Sequence, residues 1–67
     1  MNPNKANIYL KNGKSVLGAD LCDGQCGINT AGTVFSFYSP GTNMEVLCVI
    51  PVSEITLIEA YFGNHTH

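Results

Sequence analysis

Apolar and polar residues alternate from Asn7 to Lys11, with Ile8 and Leu10 on one side and Asn7, Tyr9 and Lys11 on the other. A period of two is that of a half-buried strand. Asn12-Gly13 follows at once and predicts a two-residue hairpin turn of the mirror-image type, which needs positive φ at both positions. A second strand is predicted from Lys14 to about Cys22, interrupted at Gly18, where a glycine inside a strand marks a bulge or a sharp bend. Asp23-Gly-Gln-Cys-Gly is polar and glycine-rich and reads as a loop. Ile28 to Ser39 reads extended again, most strongly over Thr33 to Tyr38, with Gly32 as a point where it can split. Pro40-Gly-Thr-Asn is a turn, Met44 to Ile50 a fourth strand ended by Pro51, and Ser53 to Phe62 a fifth. Ser53-Glu54 has the makings of a short helical start, but the β-branched and aromatic residues from Ile55 to Phe62 favour strand.

Five short strands and no helix long enough to cover a sheet predict an all-β fold, a small, strongly bent five-stranded barrel. Its core spans about residues 6–62, with 1–5 and 63–67 as tails of one domain. The fourth strand is apolar on both faces, with Met44, Val46, Cys48 and Ile50 on one and Leu47 and Val49 on the other. The fifth repeats this with Ile55 and Leu57 against Thr56, Ile58 and Ala60. A strand apolar on both sides must be covered on both, and so small a barrel has only one inside. Val46, Leu47, Cys48, Val49, Ile50, Ile55, Leu57 and Ile58 are therefore the expected contacts with another copy of the chain.

Composition sharpens this picture. With 67 residues there is room for one domain, and 45% hydrophobic against 12% charged residues leaves an apolar surface for a monomer. Three lysines, no arginine and five acids give a net charge of −2, too few cations for one copy to capture duplex nucleic acid. The longest apolar run falls far below the ~20 residues of a membrane span, and no secretory leader is evident at Met-Asn-Pro-Asn-Lys, so a cytoplasmic location is expected. Three cysteines, an odd number, read as thiols rather than a disulfide framework. Cys22 and Cys26 could offer two thiolates to zinc, with Cys48 or His65 and His67 completing the set. The spacing differs from that of paired zinc knuckles, however, and no metal or other cofactor is expected. No nucleophile with an adjacent base, no paired carboxylates and no phosphate-cradling loop are evident, so enzymatic activity is not expected.

The run Ile8-x-Leu10-Lys11-Asn12-Gly13-x-x-Val16-x-Gly18 resembles the first motif of the Sm-like superfamily (Sm, LSm and Hfq). Asp23-x-x-Cys26 with Asn29 nearby is similar to the family's Asp-x-x-Met-Asn loop, shifted by a residue or two. Val49-Ile50-Pro51 followed by Ile55 and Ile58 resembles its fourth strand, tight turn and fifth strand. The resemblance implies a five-stranded SH3-like barrel that assembles into a homo-oligomeric ring of about five to seven copies, the fourth strand of one subunit pairing with the fifth of the next. It also implies single-stranded RNA as a partner, with Gln25, Asn29 and Asp23 near the pore and Lys11 and Lys14 on the rim. Ile50-Pro51-Val52 stands where the family has a basic residue and a glycine, and no Lys-His pair or N-terminal helix is present. The alternative reading is an oligomeric protein-interaction or scaffold module without RNA binding.

Overall fold

The computed structural model describes residues 3–22 and 24–63. Among the described residues the chain is all-β, with strands β1 (Lys5–Leu10), β2 (Ser15–Asp20), β3 (Gly27–Ile28), β4 (Val34–Tyr38), β5 (Leu47–Pro51) and β6 (Ile55–Tyr61), and a 3-10 turn at Val52–Glu54 between the last two. All pairings are antiparallel. The order runs β6-β1-β2-β4-β5, with the short β3 beside β2 on the same edge of β4. The sheet curls strongly into a half-barrel but stays open, because among the described residues β6 pairs only with β1, and β5 only with β4.

Two bulges curl it. Ala6 stands opposite Ala19 and Ile8 opposite Val16, so Leu17 and Gly18 together face Asn7. Gly18 takes φ +75, which a side chain would resist, and the Asn7 Oδ1 accepts its N–H at 2.9 Å. Where β1 meets β6, Tyr9 faces Leu57 but Leu10 faces Ile55, leaving Thr56 as the extra residue. That bulge turns both Ile55 and Ile58 toward the core, whereas uninterrupted alternation places Ile55 with Leu57 on one face and Ile58 on the other.

The first hairpin also differs from expectation. Only Gly13 of the Asn-Gly pair has positive φ, +88. Its N–H donates to the Leu10 carbonyl and the Leu10 N–H to the Lys14 carbonyl, so the loop is the three-residue Lys11-Asn12-Gly13. Asn12 contributes through its side chain, whose Oδ1 accepts the Lys14 N–H at 2.9 Å.

The predicted third strand splits at residues 29–33, where Asn29 builds a turn and Gly32 takes φ +73. Met44 to Val46, predicted as the start of a strand, belong instead to the β4–β5 connection. Asn43 and Met44 both have positive φ, 55 and 59, and the Glu45 N–H donates to the Thr42 carbonyl at 3.1 Å. This is a mirror-image turn with methionine where glycine is the usual occupant.

The core is small. Ala6, Ile8 and Ala19 of β1 and β2 and Phe35 and Phe37 of β4 are buried, with Leu10, Val16, Leu21, Cys48, Ile50, Val52, Ile55 and Ile58 packed around them. Phe35 and Phe37 stack with centroids 5.8 Å apart, an arrangement that adds to their burial. No described helix is long and apolar enough to cross a membrane.

Candidate functional site

Backbone hydrogen bonds draw three connections to one end of the half-barrel. The Lys11 N–H donates to the Glu54 carbonyl at 2.9 Å, and the Val52 N–H to the Thr33 carbonyl at 2.9 Å. The hairpin at 11–13, the turn at 52–54 and the loop at 29–33 are thus tied side by side. Lys11 and Lys14 are both exposed there. Asn29 lies at the same end, but its side-chain amide is engaged in the loop. Its Oδ1 accepts the Thr33 and Val34 N–H groups at 2.8 and 3.0 Å, and its Nδ2 donates to the Thr33 Oγ1 at 2.9 Å. Both lone pairs of that oxygen are occupied, which leaves one N–H of the amide for anything outside.

Gln25 lies elsewhere. Its Oε1 accepts the Tyr38 hydroxyl at 2.9 Å, and Tyr38 pairs with Asp20, at the far end of β2 from the hairpin. Lys11, Lys14 and Asn29 therefore share one end and Gln25 sits at the other; Asp23 lies outside the described residues, as do His65 and His67. The third lysine, Lys5, is held by Asp20 at 2.7 Å. Among the described residues no group of three or more histidine, cysteine or acidic side chains is placed to hold a metal ion.

The other candidate surface is the pair of sheet edges. Cys48 and Ile50 of β5 pack inward, whereas Leu47 and Val49 are 47% and 54% exposed. Val46, ahead of the strand, is also exposed, as is Leu57 on β6 at 50%. The hydrogen bonds Ser39 N–H to Val46 O and Val52 N–H to Thr33 O flank β5. In an antiparallel ladder such pairs fall on alternate residues, so Val46, Cys48, Ile50 and Val52 direct their backbone groups to β4. Leu47, Val49 and Pro51 turn theirs outward, and Pro51 has no N–H to give.

The same alternation applies to β6. Leu10 bonds to Lys14, so Ile8 also faces β2, while Asn7 and Tyr9 face Glu59 and Leu57. Ile58 and Ala60 consequently present their N–H and C=O groups at the free edge. The outer face of β1 and β6 carries a polar cluster, in which the Tyr9 hydroxyl and the Asn7 amide donate to the Glu59 Oε1 at 3.0 and 3.4 Å. Donation to the carboxylate holds the Tyr9 pKa above that of an ordinary phenol, with smaller contributions from desolvation and the nearby charge. Sequence reading did not single out Asn7; the available signal was a polar residue on the strand facing the bend glycine.

No protein-family model, curated protein or solved structure matches the chain.

Proposed function

We propose that this protein is a self-assembling β module of the Sm-like kind, in which β5 of one copy pairs with β6 of the next to close a ring that serves as an interaction scaffold. The observation that carries this reading is the complementarity of the two open edges. Setting Leu47 opposite Ala60 and Val49 opposite Ile58 of the neighbour satisfies the outward N–H and C=O groups of all four residues. It also places the exposed side chains of Leu47 and Val49 beside apolar Ile58 and Ala60. Pro51 then falls opposite Thr56, where its carbonyl can still accept. A head-to-tail contact of this type forms a ring when its rotation closes and a filament when it does not, and unpaired apolar edges are otherwise an aggregation hazard.

Native mass in solution tests the reading. Light scattering on a size-exclusion column is expected to give about five to seven times the 7.2 kDa chain. Val49→Asp, which sets a charge on the outer side of β5, is expected to yield the folded monomer. A monomeric wild-type chain would overturn the proposal.

A second reading, single-stranded RNA binding on the rim, is favoured by the two exposed lysines at one end, which a ring would multiply. Titration with uridine-rich and adenine-rich RNA at low and moderate salt separates the two. Binding that weakens with salt and is lost in a Lys11→Gln/Lys14→Gln double variant supports RNA; a ring of unchanged mass with no RNA affinity supports the scaffold alone.

A further inference from the structure

We propose that Cys22 and Cys26 are a thiol–disulfide pair that locks the bend between β2 and β3. The inference does not depend on self-assembly. The Cys26 N–H donates to the Cys22 carbonyl at 3.1 Å, and the Gln25 N–H reaches the same carbonyl at 3.3 Å. A hydrogen bond from residue i+4 to residue i closes a single five-residue turn, here with Gly24 at φ +82, and brings its two end residues close together. Disulfides span Cα separations of about 4.4 to 6.8 Å. Both side chains are half-buried, neither is disulfide-bonded in this structure, and the Cys26 Sγ lies 4.0 Å from the Asp20 carbonyl oxygen.

The surroundings make closure feasible and consequential. Gly24 and Gly27 adjoin the pair with φ +82 and +112, and a Cβ at either would meet nothing within 4 Å, so the loop has room to adjust. The segment is anchored on both sides, by the Leu21 N–H on the Asn4 carbonyl at 2.9 Å and by the Tyr38 hydroxyl on Gln25. It adjoins the thinnest seam of the sheet, where among the described residues β2 and β4 pair through Asp20 and Tyr38 alone. A covalent link across the bend restricts the unfolded chain and holds β3 against β4 in the folded one.

The oxidant is a small disulfide such as oxidised glutathione. One cysteine thiolate attacks a glutathione sulfur and expels one glutathione thiolate, giving a mixed disulfide on the protein. The second thiolate attacks the protein sulfur of that bond, forms the Cys22–Cys26 disulfide and releases the second glutathione. Two protons and two electrons leave the chain, and one glutathione disulfide becomes two thiols.

The test is to incubate the full chain with oxidised glutathione, quench by alkylation, and combine intact mass, peptide mapping and thermal unfolding. The expected product is two hydrogens lighter, linked between Cys22 and Cys26, alkylated at Cys48, and unfolds about 10 °C higher than the reduced chain. Cys26→Ser is expected to stop at a glutathione adduct on Cys22. Stable glutathione adducts on the wild-type pair, a link that includes Cys48, or a Cys22–Cys26 link that leaves the unfolding midpoint unchanged would each overturn the proposal. If Cys26→Ser does not fold, the wild-type mapping and midpoint decide alone.

Discussion

The two leaves of the half-barrel solve the same packing problem differently. In the β6-β1-β2 leaf, β1 lies in the centre with a long ladder on each side, and Ala6, Ile8 and Ala19 are fully covered. In the β3-β4-β5 leaf, β4 buries Phe35 and Phe37 by size, while its flanking β3 is two residues long and β5 exposes every second side chain. The outer face also differs. On the first leaf Asn7 and Tyr9 both donate hydrogen bonds to Glu59, while Leu17 and Leu57 are exposed. On the second, the outer face of β5 is Leu47, Val49 and Pro51, with no polar side chain among them. Burial of one face is thus enough to fix a strand's register, but it leaves the chemistry of the other face free to serve association.

The largest predicted effect compares the anchors of the leaves. Phe37→Ala is expected to cost about 3 to 5 kcal/mol and Ile8→Ala about 2 to 5. A domain of this length has a total stability of roughly 3 to 10 kcal/mol, so either variant should lose a large share of it and unfold at a much lower denaturant concentration, followed by circular dichroism. If Ile8→Ala stays fully folded while Phe37→Ala does not, the second leaf carries the core and the comparison reverses.

Next come the two asparagines that hold backbone in place. Asn7→Ala removes the acceptor of the Gly18 N–H, which is partly buried, and should cost about 1 to 2 kcal/mol. Asn29→Ala removes the acceptor of two N–H groups that are exposed and can turn to water, so about 0.5 to 1 kcal/mol is expected. Denaturant titration of the two variants side by side measures the difference. Equal losses would mean that water reaches the Gly18 bulge as readily as the Asn29 loop.

A smaller gain is expected at the β4–β5 connection. Met44 is exposed with φ 59, a conformation that strains a residue with a Cβ and that glycine adopts freely. Met44→Gly should raise stability by about 1 kcal/mol, read as a higher denaturant midpoint at unchanged slope. The matching change on the first leaf, Gly18→Ala, should have the opposite sign, because it forces a Cβ into φ +75.

These residues show what the sequence made legible. Alternation from Asn7 to Lys11 and the run Val34 to Tyr38 located the central strands, because a period of two and a dense run of β-formers both fit a pleated, half-buried surface. Gly18 was readable as a bend because few other residues can occupy it. The three-residue hairpin was not, since an Asn-Gly pair serves both two-residue and three-residue loops. Thr56 was hidden too: a bulge moves one residue out of alternation without leaving a compositional mark, and so Ile55 changed face. Of the candidate site, the apolar edges were visible as two-sided strands. The separation of Gln25 from Lys11, Lys14 and Asn29 was not, because it follows from how far the bent β2 travels before it turns.

The subtlest expected effect concerns the polar cluster on the first leaf. The Tyr9 hydroxyl donates to the Glu59 carboxylate only while protonated, which is why its pKa is raised in the folded chain. A group whose pKa is higher folded than unfolded contributes stability that is complete below the unfolded value, about 10 for tyrosine, and lost as pH rises through the folded one. Alkaline titration followed by phenolate absorbance should therefore show one tyrosine ionising later than a free phenol. Glu59→Gln should return it toward the ordinary value, since a neutral amide removes the charged acceptor. Because the cluster is exposed, the accompanying change in stability should be small and confined to alkaline pH, with neutral-pH unfolding of Tyr9→Phe close to that of wild type. A tyrosine titration unchanged by Glu59→Gln would mean that the hydrogen bond does not persist in water, and the first leaf's outer face would then be no more self-satisfied than that of β5.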